Sequence, residues 1–200
     1  MKLGIGKLSA LALLLVVCHS ACAADRVLVR LTRYDNTVLT PVQPVTTGAG
    51  QNFFDVHEFS GNVEQTLNIG SQSSGAGAGK ITFDPFSFSL PPTSVDPQLF
   101  QMCAAGTAFK TMEVMFYHPL NASGAIGAPY LVLTLKLVAV KTIGWSLDAS
   151  GNGKTTITFL YGGLVVGGAT GVANQYVTLG WNRVNNVSDN STTTVLGSGH

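Results

Sequence analysis

The residues best equipped for chemistry are few and scattered. Asp55, His57 and Phe59 occupy alternate positions with Glu58 between them, so an extended backbone would turn Asp55 and His57 to one side, as a proton relay or a metal site requires. Such a site needs further ligands at short spacing, yet no second His stands nearby, and neither His118 nor His200 has an acidic or Cys neighbour. A solvated polar strand face is the expected reading. Two glycine-rich lysines invite a phosphate loop. In SSGAGAGKI, Ser74 replaces the first required Gly and Ile81 follows the Lys; in DASGNGKTT, Asp148 replaces that Gly. Both run into strand patterns, which lack the helix amino terminus that holds a phosphate.

Nucleophiles fare no better. No G-x-S-x-G elbow occurs, and Cys103 stands beside Met102 on an apolar helical face, where a thiol behaves as a small hydrophobe. Asp55, Glu58, Asp84 and Glu113 could flank a glycosidic bond only if the fold gathered them, since no spacing pairs them. A hydrolase is therefore the third reading. No catalytic residue, cofactor site or metal site is expected. Asn121-Ala122-Ser123, Asn186-Val187-Ser188 and Asn190-Ser191-Thr192 match the glycan acceptor pattern and matter only in a pathway that glycosylates them.

The elements that would position these groups are almost all strands. Arg26 to Arg33 alternates apolar and polar residues, and Asn52 to Val63 reads as a second strand after a Pro, Thr and Gly-rich stretch from Asn36 to Gly50. Lys80 to Leu90 contains a phase slip: Ile81 and Phe83 share one parity, whereas Phe86, Phe88 and Leu90 share the other. A β-bulge at Asp84-Pro85 would turn all five inward. One helix is convincing, with Asp96 as its cap, Pro97 at its first helical position, Leu99, Phe100, Met102 and Cys103 on its apolar face, and Gly106 at its end. Strands follow at Lys110 to Tyr117, Tyr130 to Trp145 with Leu131, Leu133, Leu135 and Leu137 on one side, Thr155 to Val166, and Tyr176 to Trp181. The residues from Val187 to His200 are polar and expected to fray. The fold class is all-β: a compact barrel or sandwich of two sheets with one short α-helix.

Composition narrows the function. Only 10% of the 200 residues are charged, against about 25% in ordinary soluble proteins. With 46% hydrophobic residues, such a chain collapses rather than staying disordered. Eleven basic and ten acidic residues, nowhere clustered, offer nothing to a phosphate backbone, so nucleic acid is not an expected partner. The amino terminus reads as a Sec-type leader: Lys2 and Lys7, an apolar run from Leu8 to Cys18, and Ala21-Cys22-Ala23 before cleavage near Ala23 or Ala24. The apolar run is shorter than the ~20 residues of a spanning helix, so no stable membrane insertion is expected once the leader is gone. His19 stands where lipid attachment at Cys22 would favour Leu. Cleavage would leave a single cysteine, Cys103, and hence no intrachain disulfide. Residues 1–24 are thus assigned to the leader, 25–185 to one barrel domain and 186–200 to a tail, in a periplasmic or extracellular protein.

Several strings, in order, resemble one family, the haemolysin-coregulated (Hcp) tube proteins of type VI secretion. They are the Gly-rich loop running into GAGKITFDPFSFS, then SVDPQLFQMCAAGTAF, KTMEVMFYH, YLVLTLKLVAVKTIGWS, TTITFLYGGLVV and YVTLGWN, and the resemblance covers roughly Asn52 to Asn182. The resemblance implies a β-barrel that assembles without catalysis into six-membered rings, stacked as a tube that carries effector proteins. Thr66 to Gly79 would correspond to the family's extended loop, which places Asn68, Ser71, Gln72 and Ser74 at contacts between subunits. The leader, the Asn36 to Gly50 stretch and the tail depart from the pattern. Low charge independently suits an assembling protein, because charged residues are depleted at interface cores. The competing reading is an exported β-sandwich that binds a glycan or another ligand through Trp145, Tyr161, Tyr176 or Trp181; exposed coplanar aromatics would favour it.

Overall fold

The computed structural model describes residues 24–41, 53–65, 81–119, 127–172 and 175–189. Among the described residues, apolar alternation produces ten strands, with one helix packed against them. They are β1 (Arg26–Thr32), β2 (Phe54–Ser60), β3 (Val63–Gln65), β4 (Ile81–Phe83), β5 (Phe86–Leu90), α1 (Asp96–Ala105), β6 (Ala108–Tyr117), β7 (Leu131–Leu147), β8 (Gly153–Ala169), β9 (Tyr176–Asn182) and β10 (Val187–Ser188). All pairings are antiparallel. Along the sheet the order is β10-β9-β8-β5-β2-β1-β6-β7, and β7 also pairs with β8, which closes the six strands from β8 to β7 into a barrel. The second edge of β8 is shared: β5 takes Thr155 to Phe159, and β9 takes Gly163 to Ala169. β3 and β4 form a separate ribbon.

The barrel is filled by side chains. Phe88, Phe109, Met112, Leu135, Ile157 and Phe159 are at most 2% exposed, and burying side chains of this kind stabilises the fold by about 1.5–3 kcal/mol each. Outside the barrel wall, Leu28, Phe53, Met115, Tyr117 and Val132 make a smaller cluster.

Keeping a round wall sealed requires strands to change phase. In β2, Phe54 and Val56 face the core, and then Phe59 does so as well, because Glu58 takes φ +48° where the register against β5 slips. In β7, Leu133 and Leu135 pack inward, but Leu137 takes φ +52° and is 46% exposed. The inward face passes to Val138 and Val140, and after a register slip to Ile143. The expected single row from Leu131 to Leu137 is therefore interrupted. The expected strand from Asn52 to Val63 likewise divides into β2 and β3. At Asp84-Pro85 the step is larger than a bulge: β4 pairs with β3, whereas β5 enters the barrel between β2 and β8. Phe83, Phe86, Phe88 and Leu90 nevertheless all end up buried, with Ile81 packed against them. The corner is held by Asp84 N–H donating to the Asn62 carbonyl (3.1 Å) and the Asn62 amide donating to the Asp84 carboxylate (2.9 Å).

The helix matches its expected span, with Gly106 in the left-handed conformation as its carboxyl-terminal cap. Asp96 is not the amino-terminal cap; Val95 occupies that position. Asp96 is only 7% exposed and is committed elsewhere: one oxygen accepts from Thr93 N–H and Oγ, the other from Thr155 Oγ at 2.7 Å and Trp145 Nε1 at 3.1 Å. These bonds pin α1 to the far end of the β7–β8 hairpin. Leu99 is the buried anchor of α1, while Phe100 is 54% exposed, contrary to the apolar face expected for it. Where fraying was expected, Val187 and Ser188 pair with Asn182 and Trp181, and Asp189 N–H donates to the Gly180 carbonyl.

Candidate interaction surface

The chemistry-bearing residues are built into the wall rather than gathered into a site. Arg26 donates to Asp55 at 2.5 Å across neighbouring strands. Glu58 pairs with Lys154 and accepts from Ser89 Oγ at 3.1 Å; the Lys154 ammonium, and then the Ser89 hydroxyl, hold its carboxyl below the usual range. His57 is exposed, and Phe59 turns inward through the Glu58 phase step, so Asp55, His57 and Phe59 do not share a face. Arg30 and Glu113 form a largely buried ion pair, and Asp84 is tied to Asn62. Each of the four carboxylates considered for sugar hydrolysis thus has its own partner. Among the described residues, no three His, Cys, Asp or Glu side chains lie close enough to hold a metal ion.

The second glycine-rich lysine segment is the β7–β8 turn. Asp148 accepts from the backbone N–H of Ser150 and Asn152, both at 2.8 Å, and from the Asn152 amide, bonds that lower its pKa, while Gly151 takes φ +83°. Lys154 lies in a strand rather than at a helix amino terminus, so no phosphate cradle forms. Cys103 is half-buried, with Sγ 3.8 Å from the Lys141 carbonyl oxygen.

The aromatic residues of the ligand-binding reading do not converge either. Trp145 is 56% exposed, whereas Tyr161 is buried and stacked on Phe83 at 5.1 Å. Trp181 packs against the core with a buried Nε1, and Tyr176 donates to the Pro129 carbonyl at 2.6 Å. Only Trp145 of the four offers an open ring, near Phe100 at 6.4 Å.

Asn68, Ser71, Gln72 and Ser74, expected at contacts between subunits, lie outside the described residues, as do the leader and the sequons at Asn121 and Asn190. What is visible is the base of their loop: β3 and β4 bracket it, with Gln65 opposite Ile81, and every residue of β3 is exposed.

The surface itself carries a feature that involves no reactive group. Val166 and Leu179 lie opposite each other on β8 and β9, 39% and 64% exposed, with Val177 beside them at 62%. From Thr155 to Asn182 the chain contains no charged residue and no His. That uncharged run, with apolar residues alternating in YVTLG, was the available signal.

A family model described as type VI secretion system effector, Hcp, matches residues 45–166. Solved structures share the architecture. Hcp1 from Salmonella typhimurium is 17% identical, with a TM-score of 0.62 over 83% of this chain and 99% of that one. A type six secretion system protein is 16% identical, with a TM-score of 0.67 over 83% and 100%. A mutant form of the Hcp1 protein from the E. coli EAEC 042 pathovar is 15% identical, with a TM-score of 0.64 over 80% and 99%. At these identities the structures speak for the fold, and no curated protein matches the chain. The family match covers more than half of the sequence and runs from β2 through α1 into β8, so the chain belongs to the Hcp family of the type VI secretion system.

Proposed function

We propose that this protein is a non-enzymatic subunit that assembles into six-membered rings, which stack into a tube able to carry effector proteins, and that it reaches the periplasm or the exterior through a cleaved Sec-type leader. The family match over residues 45–166 carries this reading. Physical features agree with it. The barrel is closed, Asp55, Glu58, Asp84 and Glu113 are engaged in structural pairs, and the run from Thr155 to Asn182 carries no charge that would set copies of the chain against one another there. A ring demands two different surfaces on each subunit, repeated until the rotation closes. The loop containing Asn68, Ser71, Gln72 and Ser74 is proposed as part of one of them.

The leader is proposed from its sequence. No described helix is long and apolar enough to cross a membrane. Native mass spectrometry and negative-stain imaging of the purified protein test assembly; a strict monomer at micromolar concentration, with no rings, overturns it. Intact mass tests export: the mature chain is expected to begin near Ala24 or Asp25, and exported protein that retains Met1 refutes the leader.

A further inference from the structure

We infer that the outer edge of β9, Tyr176 to Leu179, is the docking groove of the chain's own carboxyl tail: Asn190 to Thr193 add to it as the continuation of β10, whether or not rings form. The register already present leads there. Val187 lies opposite Asn182 and Ser188 opposite Trp181, and Asp189 N–H donates to the Gly180 carbonyl at 2.8 Å. In an antiparallel ladder, alternate residues turn both of their backbone groups to the same side. Gly180 faces β10, so Thr178 and Tyr176 also turn N–H and C=O outward, while Val177, Leu179 and Trp181 turn theirs to β8. Among the described residues, nothing bonds the outward groups of Thr178 and Tyr176. Continued one residue at a time, the same register sets Asn190 opposite Leu179, Ser191 opposite Thr178, Thr192 opposite Val177 and Thr193 opposite Tyr176.

Several features select the tail as occupant. β10 is already paired, and the Asp189 carboxylate is fastened to Lys136 at 2.7 Å, so the backbone leaves Asp189 directed along the edge and the next residues arrive with no further loop to close. Residues 190–200 are more than long enough to reach Tyr176. Their run Ser191-Thr192-Thr193-Thr194-Val195 is rich in β-branched residues and free of charge and proline, as a strand in a ladder requires. The edge needs such a cover, because Tyr-Val-Thr-Leu-Gly carries no charge, proline or bulge to blunt it. Ser191 and Thr193 exchange backbone bonds with Thr178 and Tyr176, and Thr192 sets a β-branched side chain against Val177.

Hydrogen exchange resolved to single amides tests this, comparing the full chain with one ending at Asp189. The Thr178 and Tyr176 amides are expected to exchange at least about tenfold faster in the shortened chain. The Val177 and Leu179 amides, bonded to β8, are expected to keep their rates and so report that the sheet is intact. Where shortening loosens those as well, Thr193→Pro in the full chain decides: it removes the donor opposite Tyr176, so the Tyr176 amide is expected to speed up while the Thr178 amide stays slow. Thr178 and Tyr176 amides that exchange equally in the full and shortened chains, or a Tyr176 amide indifferent to the proline, overturn the inference. Protection in the full chain that falls on dilution assigns the edge to a second copy and also overturns it.

Discussion

Replacing Asp96 with Ala is expected to loosen the attachment of α1 to the barrel and to destabilise the protein by about 3–5 kcal/mol. The magnitude follows from the geometry. The carboxylate accepts four hydrogen bonds, and bonds to charged groups contribute about 1.5–3 kcal/mol each when buried. Two of the four carry less than full weight: the ring of Trp145 is more than half exposed, and the Thr93 N–H lies at 3.3 Å. The Thr155 hydroxyl is the costly one, because Thr155 is fully buried and would lose its acceptor. Urea unfolding at fixed protein concentration measures the loss, and Trp145 fluorescence reports locally on the released hairpin. A double-mutant cycle with Thr155→Val isolates their bond: the coupling should reach about 1–2 kcal/mol, since each single change leaves the other partner unsatisfied. A loss below about 0.5 kcal/mol for Asp96→Ala, with unchanged Trp145 emission, would refute the reasoning.

Other consequences can be measured in the same way. Burial pushes Tyr117 and Tyr161 up to about 12 from an ordinary value near 10, so both are held neutral in the fold. Their contribution is fully present below pH 10 and is lost as the pH rises from about 10 to 12; alkaline unfolding should shift to higher pH in Tyr161→Phe. At neutral pH that variant should be unchanged or more stable by about 1 kcal/mol, because the Tyr161 hydroxyl is buried without a partner, and a marked loss in a thermal melt would contradict this. Removing one member of the Arg30–Glu113 pair should cost about 3–5 kcal/mol, whereas Arg30→Met with Glu113→Leu should cost far less; denaturant midpoints of the three variants decide. Gly61→Ala should cost at least about 2 kcal/mol, since the added carbon would overlap the Phe86 ring, and a melting temperature equal to wild type would reject that packing.

The all-β class, the helix and the main strands were legible because alternation and turn chemistry are local signals. The corners were not. Nothing in the string VHEFS announces that Glu58 would adopt a left-handed conformation, since a phase step answers to the curvature of the closed wall. The Asp84-Pro85 slip was readable from parity, but the exchange of partners there was not, because choosing β3 for β4 and β8 for β5 is a long-range decision. Asp96 was read as a cap because its helix position permits it; its true donors, Trp145 and Thr155, lie on a distant hairpin. The partners of Asp55, Glu58, Asp84 and Glu113 were not legible either, because each lies on another strand or across a corner, out of reach of local spacing.

The order of strands in the wall also sets an order in time. β6, β7, β8 and β9 each pair with the next in sequence, so this meander can zip up through short loop closures. β1 pairs with β2 from Val27 to Val29, but its other edge must wait for β6, where Arg26 meets Tyr117, and β5 must find β8 across α1, β6 and β7. A chain emerging from a translocation channel amino end first would therefore present the β1–β2 pair, with Leu28 and Val29 uncovered, well before β6 arrives to close the other edge of β1. Their safe passage would depend on a holding factor or on emergence that outpaces aggregation, so folding yield should fall when export is slowed.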